Sequence, residues 1–350
     1  MSTAEHAAAS PLILGTMGWG VPVDDGEGPH SAGPGAGADV ALARARGALR
    51  AGLEAGITVL DTADIYGGGL SESTTGALLA ELDPAERGRL RVQTKAGIVL
   101  PGQDPAGGGA TRYDSSPAHV RRALEGSLSR LGAGAVETLI IHRPDVLTPV
   151  EDTVRAFLDA REAGLVRRLG VSNLGTGRLL SFQRALGRLA ADGTGLACAQ
   201  LELGLHHRTL VEAEVLANHG AAPATAGAAD LGRVCAEEGI ELQAWGPLGQ
   251  GRFTPGSDGS VPTDPAEAAA LASAGGPAAV VAKVAQELGA GREAVVLAWL
   301  LKLPWGVRPV VGSQDPARLA ACAAAPEVAA AMDAAQWHRL WTAARGENLP

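Results

Sequence analysis

The chain has 350 residues, 46% of them apolar and 19% charged. It can bury a sizeable core, which excludes a disordered, collagenous or coiled-coil protein. The formal charge of −9 argues against a nucleic-acid binder, which would need a basic face. The length suits two ordinary domains, or one barrel of roughly 250 residues with long loops.

Lysine, tyrosine and cysteine are all scarce. Lys95, Lys283 and Lys302 are the only lysines, and Tyr66 and Tyr113 the only tyrosines. Arginine serves wherever only positive charge is wanted, so a lysine here carries more information than usual. Cys198, Cys235 and Cys322 are odd in number and form no Cys-x-x-Cys pair. They suggest neither a disulfide frame nor a zinc site, and a reducing cytoplasm is the expected setting. The N-terminal stretch has no basic residue before Arg44 and does not read as a signal peptide. The longest apolar run, Ala294 to Leu301, is far short of the ~18 residues of a membrane span.

In chain order, Leu12–Leu14 reads as a strand, followed by a Gly/Pro/Ala loop through residue 38. ADVALARARGALRAGLEAG reads as a helix with Asp39 as N-cap and Gly56 as stop. ITVLDTA is strand-like, and SESTTGALLAEL opens on a capping signal and turns helical. RLRVQTKAG is a strand, and SSPAHVRRALEGSLSRLG a helix with Ser116 before Pro117 at its first turn. AVETLIIHRPD, LVRRLGVSN, LACAQLEL and IELQAWGPLG read as further strands, each followed by helical patterns. VRPVVGS is the last strand, then DPARLAACAAA a helix and DAAQWHRLWTAARG an extra helix.

Eight strands, near residues 12, 58, 92, 139, 169, 199, 242 and 310, are each followed by a helix. That rhythm demands parallel pairing with right-handed crossovers. It most simply closes into a (β/α)8 TIM barrel, one domain over 1–350, with an extra C-terminal helix and long loops at the C-terminal face. An open doubly wound sheet would favour Gly-x-Gly-x-x-Gly after the first strand. GTMGWG has the wrong spacing. The Gly/Pro/Ala-rich stretches 24–38, 100–115, 218–229 and 252–279 read as loop insertions.

Functional residues of a barrel lie at the carboxyl ends of its strands. Those ends carry Asp61 with Tyr66, Lys95, His142, Ser172 with Asn173, Gln200, Trp245, and Gly312 with Ser313. Each has a plain structural reading when taken alone: Asp61 as a loop cap, Tyr66 as packing, His142 as a satisfied core histidine. A lone lysine closing an apolar strand is harder to place without a partner.

DTADIYGGG, QTKAG, IIHRPD, GVSN, AQLEL and AWGPLGQG occur in that order, each at an expected strand end. Together they resemble the aldo-keto reductase superfamily, within it a bacterial oxidoreductase branch, from about Leu12 to Leu319. The resemblance implies NAD(P)H-dependent reduction of an aldehyde or ketone by a catalytic tetrad of Asp61, Tyr66, Lys95 and His142. The chemistry is coherent. A carbonyl that gains a hydride needs a proton, and a tyrosine, ordinarily near ~10, is an acid that can give it. A cation such as Lys95 eases that ionisation, a carboxylate such as Asp61 holds the lysine, and His142 orients the carbonyl oxygen.

The resemblance also implies a nicotinamide dinucleotide across the barrel mouth, with Ser172, Asn173 and Gln200 on the carboxamide and Trp245 stacked on the ring. Gly246, Pro247, Leu248, Gly249 and Gly251 would form a turn whose backbone approaches the pyrophosphate. Gly312, Ser313 and Arg318 would hold the adenosine end, Arg318 pairing with a ribose 2′-phosphate. GSQDPARLAAC departs from the family pattern: Gly312 stands where many relatives have lysine, and Ala321 and Cys322 where Glu and Asn are frequent. NADPH is the expected cofactor, with NADH not excluded. The His206–His207 pair lacks a third ligand at useful spacing, so no metal is expected. The alternatives are a cofactor-binding regulatory subunit of the same fold and a barrel isomerase or lyase. The expected partner is a small carbonyl compound, with neither nucleic acid nor membrane. Trp19 is a candidate apolar wall of the site. Oligomeric state is not legible in the sequence.

Overall fold

Each strand of the barrel is a short, mostly buried run that cannot bury itself, and a helix precedes the next barrel strand and carries the chain back to the same end of the sheet. The computed structural model describes residues 10–22, 36–102, 109–216, 226–254 and 276–349. Its strands are β1 (Ile13–Gly15), β2 (Val59–Asp61), β3 (Arg91–Ala96), β4 (Ile98–Val99) and β5 (Arg112–Tyr113). They continue with β6 (Val136–Ile141), β7 (Val166–Ser172), β8 (Cys198–Glu202), β9 (Glu241–Trp245) and β10 (Arg308–Val311). Eight of them close a parallel barrel in the order β1-β10-β9-β8-β7-β6-β3-β2. This is the (β/α)8 architecture expected from the sequence, and the pairing of Leu14 with both Val311 and Leu60 joins first strand to last and second.

Several local expectations are corrected. The segment after β3 contains the antiparallel hairpin β4–β5, with Ile98 opposite Tyr113 and Val99 opposite Arg112. Two-residue strands are too short to show a period, so the stretch reads as loop in the sequence. Asp39 is not an N-cap: the helix begins at Ala36, and Asp39 sits in its first turn against the positive end of the helix dipole. Ser71 is not a cap either. The helix Leu70–Glu81 starts after Gly69, whose φ of 100° only glycine adopts readily. Ser71 is buried instead and donates to the Thr16 carbonyl at 2.7 Å, tying the helix to the loop after β1. Short helices at Pro84–Arg89 and Ala325–Ala331 had no sequence signal long enough to register.

Other expectations hold. Ser116 caps the helix Pro117–Leu131, accepting from His119 N with Pro117 in the first turn, a contact of about 1 kcal/mol. The extra helix Ala334–Arg345 is fixed by an Asp333–Gln336 capping box. Its Trp337 stacks on Trp299 at 5.2 Å and donates Nε1–H to the Trp299 carbonyl. That contact seals the helix Arg292–Leu301, which is buried nearly throughout. The Gly/Pro/Ala-rich insertions fall largely outside the described residues.

Helix Leu70–Glu81 approaches the end of helix Pro117–Leu131 through Gly76. A Cβ there would lie 2.7 Å from the carbonyl oxygens of Arg130 and Leu131. Backbone cannot yield as a side chain does, so Gly76→Ala should cost about 1–3 kcal/mol. A urea unfolding midpoint unchanged from wild type would show that the helices separate freely.

Candidate active site

Side chains alternate across a strand, so residues two apart face the same way. Gln93 and Lys95 on β3 therefore both enter the barrel, as do Gln243 and Trp245 on β9. The lysine is 1% exposed. Its Nζ donates to Asp61 Oδ2 at 2.6 Å, to the Thr62 carbonyl at 2.9 Å and to Tyr66 Oη at 3.1 Å. Burial by itself would lower the Lys95 pKa, but the Asp61 carboxylate and Tyr66 outweigh it and hold the ammonium above its ordinary value. Breaking one partner of such a pair strands a buried charge, at about 3–5 kcal/mol.

Asp61 is itself pinned. Its Oδ1 accepts from Gln93 Nε2 at 2.6 Å and Gln200 Nε2 at 2.9 Å. Gln243 Oε1 accepts from both of those amides, and Gln243 Nε2 donates back to Gln93 Oε1. Four strands thus contribute to one buried polar network that sets the carboxylate and, through it, the lysine. Sequence reading missed Gln93 and Gln243. The available signal was a polar residue two positions before a strand-end candidate, inside an otherwise apolar strand.

Tyr66 lies in the turn after β2, with the Lys95 ammonium 4.8 Å from its ring centroid. The His142 ring meets it edge-on at 6.0 Å. His142 is 8% exposed, and its Nδ1 is buried without a hydrogen-bond partner. Burial, reinforced by Lys95 and Arg143, pushes its pKa down to about 3. The imidazole is neutral at ordinary pH, able to donate one hydrogen bond without carrying charge.

Beside these four residues, Asn173 adopts a left-handed φ of 60°, a conformation asparagine tolerates better than most residues. Its Nδ2 donates to Ser172 Oγ at 2.8 Å and the His142 carbonyl at 3.1 Å, and its Oδ1 accepts from Trp245 Nε1 at 3.0 Å. Asn173 therefore orients the indole. After Trp245 the chain turns sharply, with positive φ at Gly246, Gly249, Gln250 and Gly251. His206 packs beneath: a Cβ on Gly249 would lie 3.0 Å from its Nδ1. His206 Nε2 lies 3.1 Å from Glu202 Oε1, and His207 also approaches Glu202, at 3.8 Å.

A cleft of ≈ 530 Å³ opens here, within the usual range for small-molecule sites. Asp61, Tyr66 and His142 line it, and Lys95 lies immediately beneath through its bonds to Asp61 and Tyr66. Ser172, Asn173, Gln200, Trp245, the turn Gly246, Pro247, Leu248, Gly249 and Gly251, and Gly312, Ser313 and Arg318 all line it as well. Gly15, Met17, Ile65, Ile98, Arg143, Gln250 and Val310, not foreseen, line it too. Trp19 does not; it is 0% exposed, a core residue, and Met17 takes the place expected of it. Arg318 Nε lies 3.2 Å from the fully buried Glu293, and its Nη2 donates to the Thr254 carbonyl.

The sequence profile described as the Aldo/keto reductase family matches residues 11–342. The chain belongs to this family. It is 33% identical to a 6-dehydroglucose reductase of Novosphingobium aromaticivorans over 308 residues, covering 86% of each chain. It is 31% identical to a protein of the same description from Agrobacterium fabrum, covering 89% of this chain and 91% of that one. Oxidoreductase YdhF of Escherichia coli is 30% identical over 85% of this chain and 86% of its own. The thermostable aldo-keto reductase Tm1743 shares the fold, with a TM-score of 0.62 at 22% identity, covering 95% of this chain and 94% of that one. Carbonyl reduction by an oxidoreductase is the general activity of such a chain. No helix among the described residues is long and apolar enough to cross a membrane.

The depressed His142 pKa is directly testable. An imidazole ordinarily near ~6.5 when unfolded and near about 3 when folded binds more protons in the unfolded state between those values. Its contribution to stability therefore falls as pH drops through that window. Nitrogen NMR of labelled histidine should show His142 neutral from pH 5 to 8. A titration midpoint near 6.5 would mean the ring is solvated.

Proposed function

We propose that the protein reduces an aldehyde or ketone to an alcohol with Tyr66 as proton donor and NADPH as reductant. The observation that carries this reading is the 3.1 Å contact between Lys95 Nζ and Tyr66 Oη, inside a cleft where the lysine is anchored by Asp61. A phenol hydrogen-bonded to a fixed ammonium can release its proton to an oxygen that is gaining charge. His142, neutral, donates to the same oxygen and orients the carbonyl. Lys95 stays charged throughout because Asp61 balances it, and Gln93, Gln200 and Gln243 keep Asp61 in place.

The residues present fit a nicotinamide dinucleotide. Trp245 offers a flat face at the mouth, and Gly246 and Gly251 leave the turn's backbone open to an approaching phosphate, a Cβ on either meeting nothing nearer than 3.9 Å, while His206 backs Gly249. When bound, the reduced nicotinamide supplies the hydride. Ser172, Asn173 and Gln200 would meet its carboxamide, Gly246, Pro247, Leu248, Gly249 and Gly251 its pyrophosphate, and Gly312, Ser313 and Arg318 its adenosine end. Arg318 is the cation there, although Glu293 shares its charge.

Tyr66→Phe keeps the ring and removes the proton donor. Turnover of an aldehyde with NADPH should fall about 100-fold or more, with cofactor affinity unchanged by fluorescence titration. Near-wild-type turnover would assign the acid elsewhere. Cofactor binding with no turnover of any carbonyl by the wild type would instead favour a regulatory role.

Arg318→Gln tests cofactor choice through binding alone. If Arg318 pairs with the 2′-phosphate, NADPH affinity should drop about tenfold or more while NADH affinity holds. Equal losses would indicate that the arginine serves Glu293 and the fold rather than the phosphate.

A further inference from the structure

Arg143 directly follows His142 at the end of β6 and lines the cleft. Among the described residues it makes no hydrogen bond or ion pair. Every other described arginine that makes none is exposed to solvent, whereas Arg143 is half-buried. Its guanidinium nitrogens keep contact with the water of the cleft and are spent on no described residue, so their donors stay open to an acceptor that enters.

Among the described residues, the two carboxylates closest to it in the fold and in sequence are already engaged. Asp61, the carboxylate of the cleft, is held by Lys95, Gln93 and Gln200. Asp145, two residues on, accepts from Ser115 N at 2.9 Å, Leu147 N at 2.9 Å and Thr148 Oγ1 at 2.6 Å. Arg178 donates to its carbonyl. These contacts fix the segment that carries Arg143, so the guanidinium is presented from a braced loop. Its charge is felt at the reacting centre, where it helps keep the His142 imidazole unprotonated.

The barrel order separates this cation from the cofactor's phosphates. β6 stands four strands from β10 in either direction around the eight-stranded ring, diametrically across from it. The Gly246–Gly251 turn and Arg318 follow β9 and β10. Arg143 therefore faces the part of the cleft left for the substrate, beside His142 and the apolar Ile98 of the hairpin.

We infer that Arg143 is a substrate-binding residue that receives a carboxylate, so that the physiological substrate is an anionic carbonyl compound. Its carboxylate accepts two parallel N–H bonds from the guanidinium while its carbonyl oxygen reaches Tyr66 and His142. The inference rests on the reductase reading for the position of the carbonyl, but the anion site itself is tested separately.

The test compares 4-formylbenzoate with its neutral isostere 4-formylbenzamide in the presence of NADPH. Wild type should favour the carboxylate by about 10- to 100-fold in kcat/KM, chiefly through KM. Arg143→Gln should lose that preference by losing only the carboxylate substrate, and Arg143→Lys should restore part of it. No wild-type preference, a preference for the amide or for neutral D-glyceraldehyde, or equal losses on both aldehydes in Arg143→Gln would overturn the inference. Calorimetric titration with the alcohols 4-(hydroxymethyl)benzoate and 4-(hydroxymethyl)benzamide reads the site without turnover. Arg143-dependent binding of the benzoate alone supports the anion site even if neither aldehyde is reduced, a result that would count against the reductase reading and not this one. Equal binding of both alcohols, unaffected by Arg143→Gln, overturns the anion site even in an active reductase.

Discussion

The ion pair between Lys95 and Asp61 is the interaction on which the rest of the mouth depends. Both groups are almost fully withdrawn from water, and an ammonium in that position is tolerable only if its carboxylate is fixed. The protein fixes it with amides from β3 and β8 that donate to Asp61 Oδ1 and are themselves held by Gln243 of β9. Because those amides come from different strands, closing the barrel is what assembles the network. Tyr66 then takes one of the lysine's donors, so the phenol is located by the same charge balance that holds the barrel end together.

A second constraint runs beside the first. Asn173 joins the carbonyl of His142, the hydroxyl of Ser172 and the indole of Trp245 across β6, β7 and β9. Its left-handed backbone aims one small side chain at three partners. The position of His142 and that of the Trp245 indole are therefore linked through a single amide. The cleft is also lined by side chains that neither cluster uses, among them Ile98, Met17 and Arg143. Those side chains are not needed to hold the lysine or the indole.

The chain's periodicities determined much by themselves. Eight short apolar runs separated by helical patterns admit few topologies, because parallel strands need crossovers and crossovers have one hand. The strand ends could be searched because functional side chains in such a barrel cluster there, and the family resemblance then singled out Asp61, Tyr66, Lys95 and His142 as candidates; the barrel brings them to one cleft. The tertiary structure decided what depends on contacts between distant residues. Gln93 and Gln243 are 150 residues apart, and nothing local marks them as supports of Asp61. Ser71 looks like a helix cap until Thr16 is brought against it. Trp19 and Met17 stand two positions apart, yet one fills the core and the other lines the cleft, a division set by how the loop after β1 folds onto its neighbours. Arg143 lies in the IIHRPD string with nothing local to give it a role; only the folded barrel shows it half-buried beside His142 and paired with no carboxylate among the described residues, because burial and partnership are properties of the packed chain and not of its order.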